Sequence, residues 1–169
     1  RLFGLGNYQG NHGEDVKELY YYLDNVPTHT YMEYLYKYPQ QAYPYDQLRE
    51  ENRNRSRTMP EYEILDTGVF DDNAYFDITI TYAKQHSTDI FIRIDINNHG
   101  SKPAEITVLP TLWFYNRWQY NPNLNKPSIT MIDRNTVKAS HDRLGEYYLY
   151  FQTPDDLLFT DNETNTEIV

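Results

Sequence analysis

The sequence predicts a mainly β chain, an antiparallel β-sandwich with two short helices near its N-terminus. Three observations point there. Phe76, Ile78, Ile80 and Tyr82 alternate with Asp77, Thr79 and Thr81, and Ile90, Ile92, Ile94 and Ile96 alternate with Phe91, Arg93, Asp95 and Asn97. That period of two marks strands with one buried face. Further short strand-like runs follow at intervals, broken by turn residues, as in sandwiches. Eighteen tyrosines among 169 residues supply large apolar bodies with polar tips, which offsets a modest aliphatic content.

The elements can be justified in chain order. Residues 17–24 read as a strand, with Leu19, Tyr21 and Leu23 on one face and Tyr20 and Tyr22 on the other. Pro27 ends it. Thr30 and Glu33 form a capping-box pattern. Tyr31, Tyr34, Leu35 and Tyr38 then fall at helical spacing, so a first helix is expected up to Pro39. A second is expected over 45–55 after Pro44, with Asp46 favourably placed near its N-terminus. Two period-two strands come next and Asn98-His99-Gly100-Ser101 makes a turn. A strand over 104–115 should follow as an antiparallel neighbour, with Pro110 at a bulge, an end or an edge. Residues 116–126, rich in Asn and Pro, read as a loop. Shorter strands are expected at 128–133, 136–140, 146–152 and 156–159. The polar stretch 161–169 reads as a flexible tail. No internal repeat appears.

Composition excludes some functions. A net charge of −10 disfavours phosphate backbones, so nucleic acid is not an expected partner. The one dense basic run, Arg49 to Arg57, is interleaved with Glu50 and Glu51 and reads as a solvated helix face. Without cysteine there is no disulfide, thiolate nucleophile or zinc–thiolate site. No apolar stretch approaches membrane-spanning length. The compartment is open, with the cytoplasm the first expectation. The chain begins at Arg1 and is expected to be a single domain, 1–169, excised from a longer protein.

One stretch is more specific than these patterns. It runs from Gly13-Glu14-Asp15-Val16-Lys17-Glu18-Leu19-Tyr20-Tyr21-Tyr22-Leu23-Asp24 into Pro27 and on to Tyr34-Leu35-Tyr36-Lys37-Tyr38-Pro39. Later come Leu109-Pro110-Thr111-Leu112-Trp113-Phe114-Tyr115-Asn116-Arg117-Trp118, Leu144-Gly145-Glu146-Tyr147-Tyr148-Leu149-Tyr150 and Leu157-Leu158-Phe159-Thr160-Asp161-Asn162. Together they resemble the N-terminal, non-catalytic β-sandwich region of bacterial glycoside hydrolase family 63, the glucosidase and mannosylglycerate hydrolase-like group. The resemblance implies a super-sandwich of two antiparallel sheets that supports a C-terminal (α/α)6 barrel of the same parent chain. That barrel would carry the acid and base of inverting hydrolysis, which stand about 6.5–9.5 Å apart. It lies outside this sequence, so no catalytic residue is assigned here, and the chain alone is expected to be inactive. His12 is one departure, where the resemblance leads to an aromatic side chain.

Five residues are candidates for contact with the barrel or with sugar: His12, Glu14, Asp15, Trp118 and Tyr120. Glu14, Asp15 and Glu18 could form an acid–base pair, but neighbouring acids before a strand more often face water or pair with Lys17. Trp118 sits at a strand exit and either stacks on sugar or packs on the barrel. Trp113 alternates within a strand and is expected in the core. Asp71, Asp72, Asn73 and Asp77 offer oxygen ligands but lack the calcium-loop spacing, and the same holds for residues 161–164. The five histidines show no metal spacing, so neither metal nor cofactor is expected. Asn54-Arg55-Ser56 and Asn162-Glu163-Thr164 fit glycosylation sequons. The alternative function is an independent carbohydrate-binding module.

Overall fold

The computed structural model describes residues 19–163. The chain divides into two compact units, Arg1–Ile106 and Thr107–Val169. It is mostly β, with two antiparallel sheets and few helical residues.

The first unit is built on a four-stranded meander in chain order: β1 (Leu19–Asn25), β2 (Tyr31–Pro39), β3 (Tyr75–His86) and β4 (Asp89–Asn98). Every neighbouring pair is antiparallel. The register runs Tyr22–Tyr34–Ile80–Ile94 and Tyr20–Tyr36–Ile78–Ile96 across the four strands. Met32, Tyr82 and Ile92 continue the same face, because side chains directly opposite in a ladder point the same way. Glu33, Lys37, Asp77, Thr79, Thr81, Arg93 and Asp95 occupy the other face. A bulge between Tyr22 and Asp24 shifts the phase of β1, as an extra residue in one strand must.

The helix expected up to Pro39 is strand β2. Tyrosines at 31, 34 and 38 fit a helical stripe, but Met32, Tyr34, Tyr36 and Tyr38 also alternate. Tyrosine suits a pleated, half-buried surface, and ladder bonds to strands on both sides decide between the two periods. The supposed capping residues serve other ends: Thr30 Oγ1 bonds Thr28 Oγ1, and Glu33 accepts from the Tyr31 hydroxyl at 2.6 Å.

The second expected helix is present as α1 (Tyr45–Asn54), with Asp46 in its first turn. Arg49 pairs with Asp46 at 3.0 Å, and Arg55, just past the helix, with Glu51 at 3.2 Å. Leu48 is buried, as are Ile64 in a 3-10 turn (Ile64–Thr67), Val69, Phe76 and Pro39. The core of this unit therefore sits at one end of the sheet, where α1 and the 3-10 turn meet. Beside it, Tyr43 stacks on Tyr45 and shares a 3.1 Å hydroxyl bond with Tyr36. Burial, then that bond, pushes the Tyr43 hydroxyl well above the ordinary tyrosine range.

The second unit holds a three-stranded meander of β5 (Ser128–Asp133), β6 (Thr136–His141) and β7 (Gly145–Tyr150). Val137 and Ala139 on the central strand are buried. Asn135 shapes the first hairpin, its amide N–H donating to Asp133 and its carboxamide to the Phe151 carbonyl. Gly145 follows the second turn at φ 77°, a conformation glycine adopts without a Cβ penalty.

Two expected strands do not form. Residues 104–115 join no ladder, and neither do 156–159. Alternation alone makes no strand, because each ladder bond needs a partner chain beside it. Pro110 removes a donor from the first segment as well. Trp113, expected in the core, is about half exposed at 51%, since no second layer covers this segment among the described residues.

Candidate functional site

Of the five sequence candidates, His12, Glu14 and Asp15 lie outside the described residues, as does 164–169 of the expected tail. Trp118 and Tyr120 bound a one-turn 3-10 helix. Tyr120 is exposed, at 72%. Trp118 is half-buried, and its indole N–H donates to Glu163 Oε1 at 3.1 Å. Lys126 Nζ reaches the same oxygen at 2.8 Å and lies 3.5 Å from Asp161. One carboxylate thus joins an aromatic ring to an ammonium group. The Lys126 and Trp118 bonds hold Glu163 below the ordinary carboxylate range. Reciprocally, the Glu163 bond lifts Lys126 above its ordinary value.

Lys126 also forms one wall of a groove of about 260 Å³, shared with Ser128, Ser140, His141, Asp142 and Glu146. The ladder explains the grouping. Ser128 is opposite Ser140, and Ser140 is opposite Glu146, so three strands set two hydroxyls and a carboxylate in one row. Asn125 donates to Asp142 at 2.6 Å, and Lys138 donates to Glu146 at 3.1 Å. His141 Nδ1 accepts from the amides of Arg143 and Leu144 at 3.1 and 3.3 Å. A neutral imidazole so placed carries its proton on Nε2. Phe114 packs against the same ring, centroids 5.6 Å apart.

A separate polar cluster occupies the sheet of the first unit. Lys37 Nζ and His99 Nε2 approach the two oxygens of Asp77 at 2.6 and 2.7 Å. The Tyr75 ring stacks on His99 at 4.9 Å and faces Lys37 Nζ at 4.4 Å. Burial is the largest single influence and lowers the Lys37 pKa, but the bond to Asp77, its charge and the neighbouring Tyr75 together outweigh it and hold the group above its ordinary value. Both aspartate oxygens are engaged, one by an ammonium and one by an imidazole, an arrangement suited to fastening strands rather than to proton transfer. Among the described residues no group of three His, Asp or Glu side chains converges to hold a metal, and no helix is long and apolar enough to cross a membrane.

No family model matches the chain. No solved structure matches it. The chain is similar to uncharacterized protein YMR196W of Saccharomyces cerevisiae, with 36% identity over 201 aligned residues. The match takes in 98% of this chain and 18% of that relative. The chain therefore spans less than a fifth of the length of the curated relative it matches.

The groove residues Ser128, Ser140, His141 and Asp142 are not apparent in the sequence. They are brought together by strand register and a hairpin turn, and no short motif encodes that. The available signal was the pair of β-runs flanking His141-Asp142-Arg143-Leu144-Gly145, which folds both sides of one turn onto one edge.

Proposed function

We propose that this chain is a non-catalytic part of the N-terminal β-sandwich of a larger glycoside hydrolase family 63-like protein. In this reading it packs on and stiffens a C-terminal (α/α)6 barrel whose carboxylates break the glycosidic bond. One observation carries the proposal: the apolar face of the four-stranded sheet ends in wide exposure. Tyr22 is 81% exposed, Ile90 50% and Ile92 49%. At ~25 cal/mol per Å² of apolar surface, a face of this kind is built to be covered, and a second sheet is the covering that completes a sandwich. The ladder-free segment with exposed Leu109, Leu112 and Trp113 supports the same reading. So does the small share of the yeast relative that the chain spans.

Hydrogen exchange on the chain alone and on a longer protein containing it tests the proposal. Amides of β4 and of 108–115 should gain protection only in the longer protein. Turnover of α-linked glucosides or mannosylglycerate by the pure chain, abolished in Glu14→Gln, would overturn it.

The rival reading, an independent carbohydrate-binding module, would have sugar stack on Trp118 and Tyr120. Saturable oligosaccharide binding lost in Trp118→Ala would favour it.

A further inference from the structure

We propose that the groove bounded by Lys126, Ser128, Ser140, His141, Asp142 and Glu146 is a binding site for one neutral sugar unit. It is distinct from the aromatic pair Trp118 and Tyr120, and it holds whether or not the chain serves as a scaffold.

Every hydroxyl of a sugar both donates and accepts, so its site must present both functions at close intervals. The two serine hydroxyls can do either. They are left open to a ligand, since neither hydroxyl is hydrogen-bonded to another described residue. Asp142 and Glu146 only accept. Lys126 only donates, and His141 donates through Nε2, because the amides of Arg143 and Leu144 already occupy Nδ1. Asn125, Lys138 and Phe114 hold Asp142, Glu146 and His141 in place, so little ordering remains to oppose binding.

The same geometry argues against other ligands. A phosphate or carboxylate would meet two carboxylates and a single ammonium already shared with Glu163 and Asp161. A metal ion needs side chains converging on one point, and among the described residues no such group of His, Asp and Glu forms. At about 260 Å³ the space falls just below the ~300–1,000 Å³ of drug-sized pockets, which suits a single ring.

The test is an amide-resolved NMR titration of the 169-residue chain with glucose, mannose and galactose, and with α-linked disaccharides of each. Inorganic phosphate and glycerol serve as comparison probes. Saturable shifts at Ser128, Ser140, His141 and Gly145 are expected with at least one sugar, at a Kd of ~1 mM, or about −4 kcal/mol. Affinity should fall roughly tenfold or more, ~1.4 kcal/mol, in Glu146→Gln and Asp142→Asn. It should stay unchanged in Arg57→Ala, in the other unit. Both carboxamide variants keep side-chain shape, and the dispersion of the same spectra reports whether each is folded. The proposal is overturned if no sugar gives saturable shifts in the groove. It is also overturned if phosphate or glycerol gives the same shifts at the same concentrations, or if both folded variants bind as the parent does.

Discussion

The carboxamide of Asn162 accepts from the amide N–H of Phe114 and donates to its carbonyl, each at 3.0 Å. It therefore supplies both hydrogen bonds that an adjacent strand residue would make. Asn116 ties the arrangement down by donating to the Asn162 carbonyl at 3.1 Å. The first unit repeats the device, with Asn52 donating to the Tyr62 carbonyl at 2.8 Å and accepting from its amide at 2.7 Å. Buried or half-buried backbone must find partners. Where the ladder is missing, an uncharged side chain bearing a donor and an acceptor together takes its place.

Replacing Asn162 with alanine removes both bonds and leaves a φ of 54° on a residue that tolerates the left-handed region less well than asparagine does. The expected loss is about 1–3 kcal/mol, read as a lower urea midpoint of the fluorescence of Trp113 and Trp118, both in this unit. Asn162→Asp keeps the acceptor and loses the donor, so its midpoint should lie between parent and alanine variant. An unchanged midpoint in Asn162→Ala would show that the two bonds do not stabilise the unit.

Acid should release Trp118. Glu163 has a depressed folded pKa, so its contribution is present above its unfolded value of ~4.3 and is lost as pH falls through the folded value. Lys126 has a raised folded pKa; its contribution is present below its unfolded value of ~10.4 and is lost as pH rises through the folded one. Between those limits the Trp118–Glu163–Lys126 link stands. Tryptophan emission should therefore show a transition below about pH 4.3 that Glu163→Gln abolishes. A transition of the same size in the variant would place its origin elsewhere.

Asp77 joins β3 to β2 through Lys37 and to the turn after β4 through His99. The Lys37 and Asp77 side chains are only 20% and 21% exposed, so removing the carboxylate strands a cation in a poorly hydrated place. Asp77→Ala should cost about 1–3 kcal/mol. The double change Lys37→Met with Asp77→Leu should recover most of it, because replacing both partners leaves no orphaned charge. Thermal unfolding of the parent and the two variants decides the matter, and a double variant no better than the single one would contradict the pairing.

Strands β3 to β7 were legible because each carries a period of two between turn residues, or a short run closed by them. β2 was not, because its tyrosines satisfy two periods at once and only the neighbouring strands choose between them. Residues 104–115 have the alternation of a strand, yet pairing depends on chain that must lie beside them, which composition does not reveal. The site divides in the same way. Trp118 and Tyr120 stand out as residue types, whereas the groove depends on Ser128, Ser140 and Glu146 sharing one row across three strands.

The exposed apolar face yields a sharper expectation. Ile92 lies on edge strand β4 and is 49% exposed, while its partner Tyr82 lies inside the sheet. A long apolar edge strand invites pairing with other molecules, so the isolated chain should self-associate as its concentration rises. Ile92→Lys places a charge on that surface and should suppress the association, measured by sedimentation, while changing the unfolding midpoint by only about 0.5 kcal/mol or less. Phe76→Ala supplies the contrast, since Phe76 is 3% exposed and its loss should cost about 3–5 kcal/mol. If Ile92→Lys instead unfolds the sheet as Phe76→Ala does, the face is core of the isolated chain and the case for a covering layer fails.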